Sequence, residues 1–146
     1  MNENYKSLIL TFIQYTGIIL LMWFMPWFAK SPLLLFVQIF GILIALWALF
    51  IMNKSKLNIT PTPKKDAILI DYGIYKYIRH PMYLSLLLIF TPVLIENFNF
   101  VNITIYFIFT INLILKMLYE ESLLKLYFKG YSEYMKKTKR LIPFIF

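Results

Sequence analysis

The segment GIYKYIRHPMYLSL (residues 73–86) places the only histidine of the chain, His80, between Arg79 and Pro81 at the start of an apolar run. Pro81 suits the first turn of a helix, where its missing N–H costs no hydrogen bond. His80 would then stand at the helix N-terminus, where free backbone N–H groups and the helix dipole favour an anion. Aromatic faces that suit a ring or a cation come from three tyrosines, Tyr75, Tyr77 and Tyr83. The segment therefore predicts either a ligand site or an interfacial anchor.

A second polar group follows the last apolar run of the chain. Glu120 and Glu121 are adjacent, and Lys116 precedes Glu120 by four residues, which puts Lys116 and Glu120 on one helix face. Carboxylates that face inward would bind the hydroxyls or the ammonium of a ligand, whereas carboxylates that face outward would be ordinary solvated charge. An amphipathic tail follows, with tyrosines at 127, 131 and 134, and it ends at Arg140 and Pro143.

The composition excludes several classes of protein. Hydrophobic residues make up 60% of the 146 residues and the mean hydropathy is +0.68, above the roughly 45–50% apolar content of soluble domains. A chain of this size has too little interior to bury that surface, so it must face lipid. The absence of cysteine excludes disulfides and a thiol nucleophile. A single histidine argues against a zinc site. The net charge of +8 fits an anionic membrane surface better than a nucleic acid.

Four apolar stretches predict an all-α fold, an integral-membrane bundle of about four transmembrane helices with a C-terminal amphipathic tail. The stretches are Leu8–Phe28, Leu33–Met52, Met82–Ile95 and Val101–Leu118. A helix needs about 20 residues to cross a bilayer, so the third stretch, with 14 residues, is short. We expect residues 1–146 to form a single domain, in which residues 1–52 are an N-terminal helical hairpin.

Basic residues are concentrated in two segments, 53–81 and 116–146, which carry thirteen of the 15 lysines and arginines. With four spans, both segments lie on the same side of the membrane, and the positive-inside rule makes that side cytoplasmic. The sequence thus predicts a multi-pass protein of the inner or cell membrane whose polar chemistry lies at the cytoplasmic face.

Together the two polar segments resemble the isoprenylcysteine carboxyl methyltransferase / phospholipid methyltransferase family of integral-membrane enzymes. The resemblance is carried by G-x-Y-x-x-x-R-H-P-x-Y (residues 73–83), then E-E-x-x-L from Glu120, two tyrosines three apart, and R-x-x-P from Arg140. It covers about residues 67–143, which would form the cofactor-binding core. The family implies an S-adenosylmethionine-dependent transfer of a methyl group to a lipophilic acceptor, either an isoprenylcysteine-like carboxylate or a phospholipid-like amine.

The resemblance also implies the residues of the site. The cofactor-binding positions would be Tyr75, Arg79, His80, Pro81, Met82, Tyr83, Glu120 and Glu121, with backbone contacts from Ala67, Ile68, Leu69 and Ile70. Lys116 stands where family members usually have a substrate-facing arginine. We expect these residues to build a pocket rather than a catalytic triad, because displacement at an activated methyl carbon depends mainly on alignment and on the exclusion of water.

Two other functions are compatible with the same residues. One is a membrane reductase of the sterol-reductase type that binds NADPH, because such reductases resemble this family in their C-terminal part. The other is a non-enzymatic membrane protein that retains the motif as architecture. No metal and no nucleic acid is expected as a partner under any of the three readings; the partners would be the lipid bilayer and a lipophilic acceptor.

The charge asymmetry makes the topology testable. Single cysteines introduced at Asn2, Asn58, Asn97 and Ser132 should respond differently to a membrane-impermeant thiol reagent applied to intact cells, with only residue 97 labelled. Residues 58 and 132 belong to the basic segments, and four spans put residue 2 on the same side of the membrane, whereas residue 97 lies in a turn on the opposite side. Labelling of residue 58 from outside would contradict the topology.

Overall fold

The chain folds as an all-helical bundle, as the apolar stretches predict. The computed structural model describes residues 3–53 and 68–142. Its elements are α1 (Glu3–Phe24), α2 (Pro32–Met52), a 3-10 turn (Gly73–Lys76), α3 (Pro81–Glu96), α4 (Phe100–Tyr127) and α5 (Tyr131–Lys137). Over these residues there is no β-strand, and a single parallel bridge joins Ile78 to Lys139.

Three of these helices are long and apolar enough to cross a membrane, namely α1 from Tyr5, α2 and α4. Helix α3 has 16 residues, about 24 Å at the α-helical rise, which is shorter than a hydrocarbon core of about 30 Å. Large apolar side chains cover the outside of the bundle; Trp23 and Phe100, for example, are more than four-fifths exposed. Such an outer surface is stable in lipid rather than in water.

Two helices end elsewhere than the apolar stretches predict. Helix α1 stops at Phe24 rather than at Phe28, because Pro26 lies just beyond it and disfavours helical geometry in the residue that precedes it. Helix α4 runs nine residues past Leu118, to Tyr127. It continues because Glu120 and Glu121 have charged partners inside the protein, so these carboxylates do not have to leave the helix to reach water.

The four long helices pack as two pairs, α2 against α3 and α1 against α4. The hairpin predicted for residues 1–52 is therefore a pair of consecutive helices whose main packing partners lie elsewhere. Glycines allow the close approach within each pair. A Cβ added at Gly41 of α2 would lie 2.8 Å from Leu88 Cβ and 3.1 Å from Ser85 O of α3. A Cβ added at Gly17 of α1 would lie 2.8 Å from Phe109 Cδ2 of α4.

The bundle contains two apolar clusters. The first joins α1, α3 and α4 and contains Leu21, Met25, Tyr83, Phe90, Val93, Leu94, Phe109, Leu113 and Met117. The second joins α2 to the segment before α3 and contains Ile44, Ala48, Ile51, Ile70, Ile74, Tyr75 and Ile78. A space remains between the two helix pairs, and the candidate site described below lies in it.

One end of the bundle, the turn end, is closed by side-chain to backbone hydrogen bonds. Buried Gln38 accepts from Ala29 N at 3.0 Å and donates to Trp27 O at 2.8 Å, which fixes the α1–α2 turn. Glu96, at the end of α3, accepts from the backbone N–H groups of Lys30 and Ser31 at 2.6 Å each. The turns α1–α2 and α3–α4 are thereby tied together, and a carboxylate stands at the start of α2, where the helix dipole favours it.

The glycine contacts predict an order of stability among three alanine variants. Gly41→Ala should lower the melting temperature in detergent most, because its new methyl group would meet a fixed Cβ and backbone atoms of α3. Gly17→Ala should cost less, because its nearest contacts are atoms of a single side chain, Phe109, and include no backbone atom. Overpacking of this kind costs about 1–3 kcal/mol.

Gly130→Ala is the matched control, because a Cβ there has no heavy atom within 4 Å. Its melting temperature should equal or exceed that of the wild type. A Gly41→Ala variant as stable as Gly130→Ala would contradict the close α2–α3 packing.

Candidate functional site

The segment that leads into α3 lies directly against α2. Gly73 has a φ of 62°, a left-handed conformation that glycine adopts without steric cost. A Cβ at this position would also collide with the Ile51 side chain of α2. The 3-10 turn that begins at Gly73 carries Tyr75 into the second apolar cluster. The glycine of the sequence motif is therefore required both by backbone conformation and by packing.

The C-terminal tail (residues 128–142) pairs with the motif through its backbone. Arg79 N donates to Lys139 O at 2.8 Å and His80 N donates to Arg140 O at 3.0 Å. Lys139 N donates back to Tyr77 O at 3.1 Å. These bonds form the parallel bridge between Ile78 and Lys139. Two regions about 60 residues apart in sequence are thus joined at one end of the bundle, called here the motif end.

Two buried tyrosines reinforce this junction. The Tyr134 hydroxyl donates to Tyr75 O at 2.6 Å, and the Tyr75 hydroxyl contacts the sulfur of Met52 at 3.9 Å. Burial, followed by the negative charge of Glu120, raises the pKa of Tyr75. Burial likewise raises the pKa of Tyr134. Both hydroxyls therefore remain neutral hydrogen-bond donors throughout the physiological range.

The Arg79 side chain is almost fully buried and is occupied by protein partners. Its Nε donates to Glu121 Oε1 at 2.7 Å. Its Nη1 donates to Thr138 O at 2.5 Å and to Met135 O at 3.2 Å. Carbonyl groups of the tail and a carboxylate of α4 thus receive these donors. In this arrangement Arg79 fastens the tail to α4.

Glu121 completes a charged triad with two arginines. Its Oε1 receives Arg79 Nε, and its Oε2 receives Arg140 Nε at 3.0 Å. The Glu121 side chain is 4% exposed, whereas that of Arg140 is 31% exposed. A buried carboxylate requires such compensation, because ion desolvation costs several kcal/mol.

His80 lies between the two glutamates. Its Nε2 is 3.4 Å from Glu121 Oε1, and its Nδ1 is 3.8 Å from Glu120 Oε2. The imidazole stacks on the Tyr83 ring, with centroids 5.4 Å apart and planes inclined by 13°. Nε2 is a buried atom without a well-aligned hydrogen-bond partner among the described residues. A buried polar atom of this kind is typical of a site that receives a further group.

Glu120 and Lys116 form a second polar face, one helical turn apart on α4. Lys116 is 3% exposed, and its Nζ donates to Gln14 Oε1 of α1 at 2.6 Å. The same ammonium lies 5.9 Å from the centroid of the Tyr83 ring. Tyr83 in turn lies against the Glu120 carboxylate. Residues of α1, α3 and α4 thus converge on one point.

A cavity of about 660 Å³ opens at this point, between the two helix pairs. This volume lies within the range of about 300–1,000 Å³ that is typical of small-molecule sites. Polar groups on its wall include His80, Lys116, Glu120 and Gln14. Apolar side chains make up much of the remainder: Ile18, Ala45, Leu49, Met52, Pro81, Met82, Leu86 and Ile89. The cavity therefore has a polar part and an apolar part, as an amphipathic ligand would require.

The structure gathers most of the residues that the resemblance implies, but not all of them. Those that line the cavity are Tyr75, Arg79, His80, Pro81, Met82, Tyr83, Lys116 and Glu120. Glu121 is absent from the cavity wall and belongs to the arginine triad. Ile70 packs in the second apolar cluster, Ile68 is exposed, and neither these two nor Leu69 lines the cavity. Ala67 lies outside the described residues.

Sequence reasoning did not find the contribution of α1. Gln14, Tyr15 and Ile18 line the cavity, although α1 was predicted only as a membrane span. A signal was present, because Ser7, Thr11 and Gln14 recur at a helical spacing on an otherwise apolar helix. Polar residues on one face of a membrane helix usually face the interior of a bundle.

Comparison with known proteins identifies the family. The model of the isoprenylcysteine carboxyl methyltransferase (ICMT) family matches residues 32–126. The chain belongs to the ICMT family. No curated protein and no solved structure matches it. Membership indicates a membrane methyltransferase, and the matched region contains every cavity residue of α2, α3 and α4.

The arginine triad predicts that Glu121→Gln loosens the tail of this ICMT family member. The substitution keeps the side-chain volume but leaves the buried Arg79 without a counter-charge. Breaking a buried ion pair in this way costs about 3–5 kcal/mol. Trypsin should then cleave after Lys136 or Lys137 faster than in the wild type, and the melting temperature should fall.

Glu133→Gln is the matched control, since its ion pair with Lys136 is solvent-exposed and should contribute little. Tail protection in Glu121→Gln equal to that in the control would show that the triad does not hold the tail.

Proposed function

We propose that this ICMT family member is an S-adenosylmethionine-dependent methyltransferase that acts on a lipophilic acceptor. The observation that carries the proposal is the single cavity in which the motif residues of α3 and α4 meet, inside the region that matches the family. Its polar part would hold the cofactor and the reacting head group, and its apolar part would hold the acceptor tail.

The residues present fit this cofactor. S-adenosylmethionine carries an ammonium, a carboxylate, a ribose and an adenine, and when bound it supplies an electrophilic methyl carbon on a sulfonium. The Glu120 carboxylate suits the hydroxyls or the ammonium. Tyr75 and Tyr83 offer faces to the adenine or to the sulfonium. His80 lies on the same cavity wall, and its imidazole would supply a hydrogen bond to a bound group.

Glu120 and Glu121 would have different roles within the site. Adjacent residues of an α-helix point about 100° apart, since a turn has 3.6 residues. Glu120 faces the cavity, whereas Glu121 neutralises Arg79 and Arg140. We infer that Glu120 is the cofactor ligand of the pair and that Glu121 and Arg79 act as positioning residues. Arg79 has committed its Nε and Nη1 to protein partners, so the role of binding the cofactor carboxylate directly fits it poorly.

The acceptor would reach the site from the lipid. Tyr15 of α1 and Leu49 of α2 line the cavity, and each is more than two-fifths exposed on the outside of the bundle. Since α1 packs on α4 and α2 packs on α3, the cavity can open sideways between α1 and α2. An acceptor tail could then remain in lipid while its head approaches Lys116. Each buried CH₂ group would contribute about 0.8 kcal/mol to binding.

The side of the membrane follows from charge. The motif end of the bundle carries Lys76, Arg140 and the lysines of α5 and its flanks, whereas the turn end carries Lys30 beside Glu96. By the positive-inside rule, the motif end faces the cytoplasm. A water-soluble cofactor would enter there, and a lipid-soluble acceptor would enter from the membrane.

Methyl transfer to a carboxylate acceptor needs no prior proton transfer, because a carboxylate is already a nucleophile. The protein would contribute by aligning the acceptor oxygen with the methyl carbon and by excluding water, and such alignment supplies much of the barrier reduction in displacement reactions. An amine acceptor would first have to lose a proton, and His80 is the one imidazole of the chain placed to receive it.

Cofactor binding tests the proposal directly. S-adenosylmethionine should raise the melting temperature of the detergent-solubilised protein, and NADPH should not. Glu120→Gln and His80→Ala should each weaken cofactor affinity about ten- to a hundredfold, because each loses one hydrogen bond to a charged or polar ligand group.

Glu133→Gln, an exposed carboxylate on α5 outside the cavity wall, should bind the cofactor as the wild type does. A response to NADPH alone would favour a reductase. Unchanged cofactor affinity in both Glu120→Gln and His80→Ala would show that the motif does not bind the cofactor.

A further inference from the structure

Helix α1 lies outside the part of the chain that matches the family, yet it supplies a wall of the cavity. The match covers residues 32–126, whereas α1 ends at Phe24. Three cavity residues, Gln14, Tyr15 and Ile18, nevertheless belong to α1. The matched region therefore contains the cavity residues of α2, α3 and α4, and α1 adds a wall from outside that region.

The buried face of α1 changes character along its length. Towards the motif end it presents Ser7, Thr11 and Gln14, and beyond them Gly17 and Leu21. Ser7 and Thr11 have buried hydroxyl oxygens without a hydrogen-bond partner among the described residues. Polar side chains in a membrane helix are costly and face interior or aqueous surfaces. Of this polar half, Gln14 lines the cavity.

One short hydrogen bond of this face joins α1 to α4 at the cavity. Gln14 Oε1 accepts from Lys116 Nζ at 2.6 Å. One turn away, Asn112 of α4 donates to Leu10 O of α1 at 3.0 Å and fixes the register of the two helices. The Lys116 ammonium is therefore held from α1, on the side of α4 that faces the cavity.

Because the Gln14 amide is neutral, its hydrogen bond leaves the positive charge of Lys116 uncancelled. The groups that face Lys116 are the Gln14 amide, the Tyr83 ring and, one turn along α4, the Glu120 carboxylate. The amide oxygen orients the ammonium without cancelling its charge, which a carboxylate at the same position would do. If Glu120 serves the cofactor, the charge of Lys116 remains to attract an anion on the acceptor.

We propose that Gln14 is a positioning residue for acceptor recognition, holding Lys116 with its charge directed to an anionic acceptor head group. The proposal rests on the proposed function, in which Lys116 faces the acceptor. It makes Gln14 of α1 a residue that sets the charge preference of this chain for its acceptor head group.

The test compares two non-reactive probes that share one tail, hexadecyl sulfonate and hexadecanamide, bound to the full chain in lipid nanodiscs of fixed composition. The wild type should prefer the anionic sulfonate to the neutral amide by about tenfold or more, since hydrogen bonds between ionised groups are about twice as strong as neutral ones. Gln14→Glu should abolish that preference by neutralising Lys116. Gln14→Leu should weaken sulfonate binding about three- to tenfold while leaving amide binding unchanged.

Two controls separate positioning from structural damage. Thr16→Val changes a neighbouring α1 residue that does not line the cavity, so both probe affinities should match the wild type. S-adenosylmethionine affinity of Thr16→Val should also match that of the wild type, which reports that the site is folded. Gln14→Glu with the sulfonate preference intact, or a wild type without that preference, would overturn the inference.

The two proposals can fail separately. Failure of the wild type to bind S-adenosylmethionine would contradict the proposed function, whatever the two probes show. Loss of the sulfonate preference in Lys116→Met but not in Gln14→Glu would leave the proposed function intact and would overturn the role of Gln14 alone.

Discussion

The site depends on one buried ion network, in which Glu121 lies between Arg79 and Arg140. Arg79 precedes α3, Glu121 belongs to the last turns of α4, and Arg140 belongs to the tail, so the network joins three separate parts of the chain at one end of the bundle. Desolvating these charges is costly, and the cost is offset only when all partners are present. The network therefore fixes the tail, the start of α3 and the end of α4 relative to one another. His80 and Glu120, the adjacent residues in each element, are placed at the cavity as a consequence.

The packing of helices in pairs provides the space for that cavity. Close contacts at Gly41 and Gly17 draw α2 to α3 and α1 to α4. Between the pairs, the ion pairs of Glu121 with Arg79 and Arg140 lie at the motif end, and Glu96 ties the two turns together at the turn end. The cavity therefore remains between helix pairs that are tied together at both ends of the bundle. The short α3 belongs to this arrangement, since its first turn lies at the depth of the cavity.

The electrostatics of the cavity divide it into two parts. Glu120 with His80 and Tyr83 forms one part, suited to the polar and cationic groups of a cofactor. Lys116 with Gln14 forms the other, where a positive charge is held by a neutral partner. Opposite charges one helical turn apart would attract different portions of two reactants, which is a means of aligning them. A methyl transfer requires such alignment more than it requires an acid or a base.

The sequence by itself determined the all-helical membrane class and the family. Hydropathy and motif spacing are local properties, and they need no knowledge of how helices pack. The sequence could not separate Glu120 from Glu121. The two side chains point about 100° apart around the α4 axis, and the neighbours that each one meets come from distant parts of the chain. It likewise could not show that Arg79 donates hydrogen bonds to carbonyl groups of the tail, or that Ile70 packs in an apolar cluster. Gln14 lies 102 residues from Lys116, and only the packing of α1 on α4 brings the two together. Tertiary structure decided these positions because each depends on contacts between residues that lie far apart in the chain.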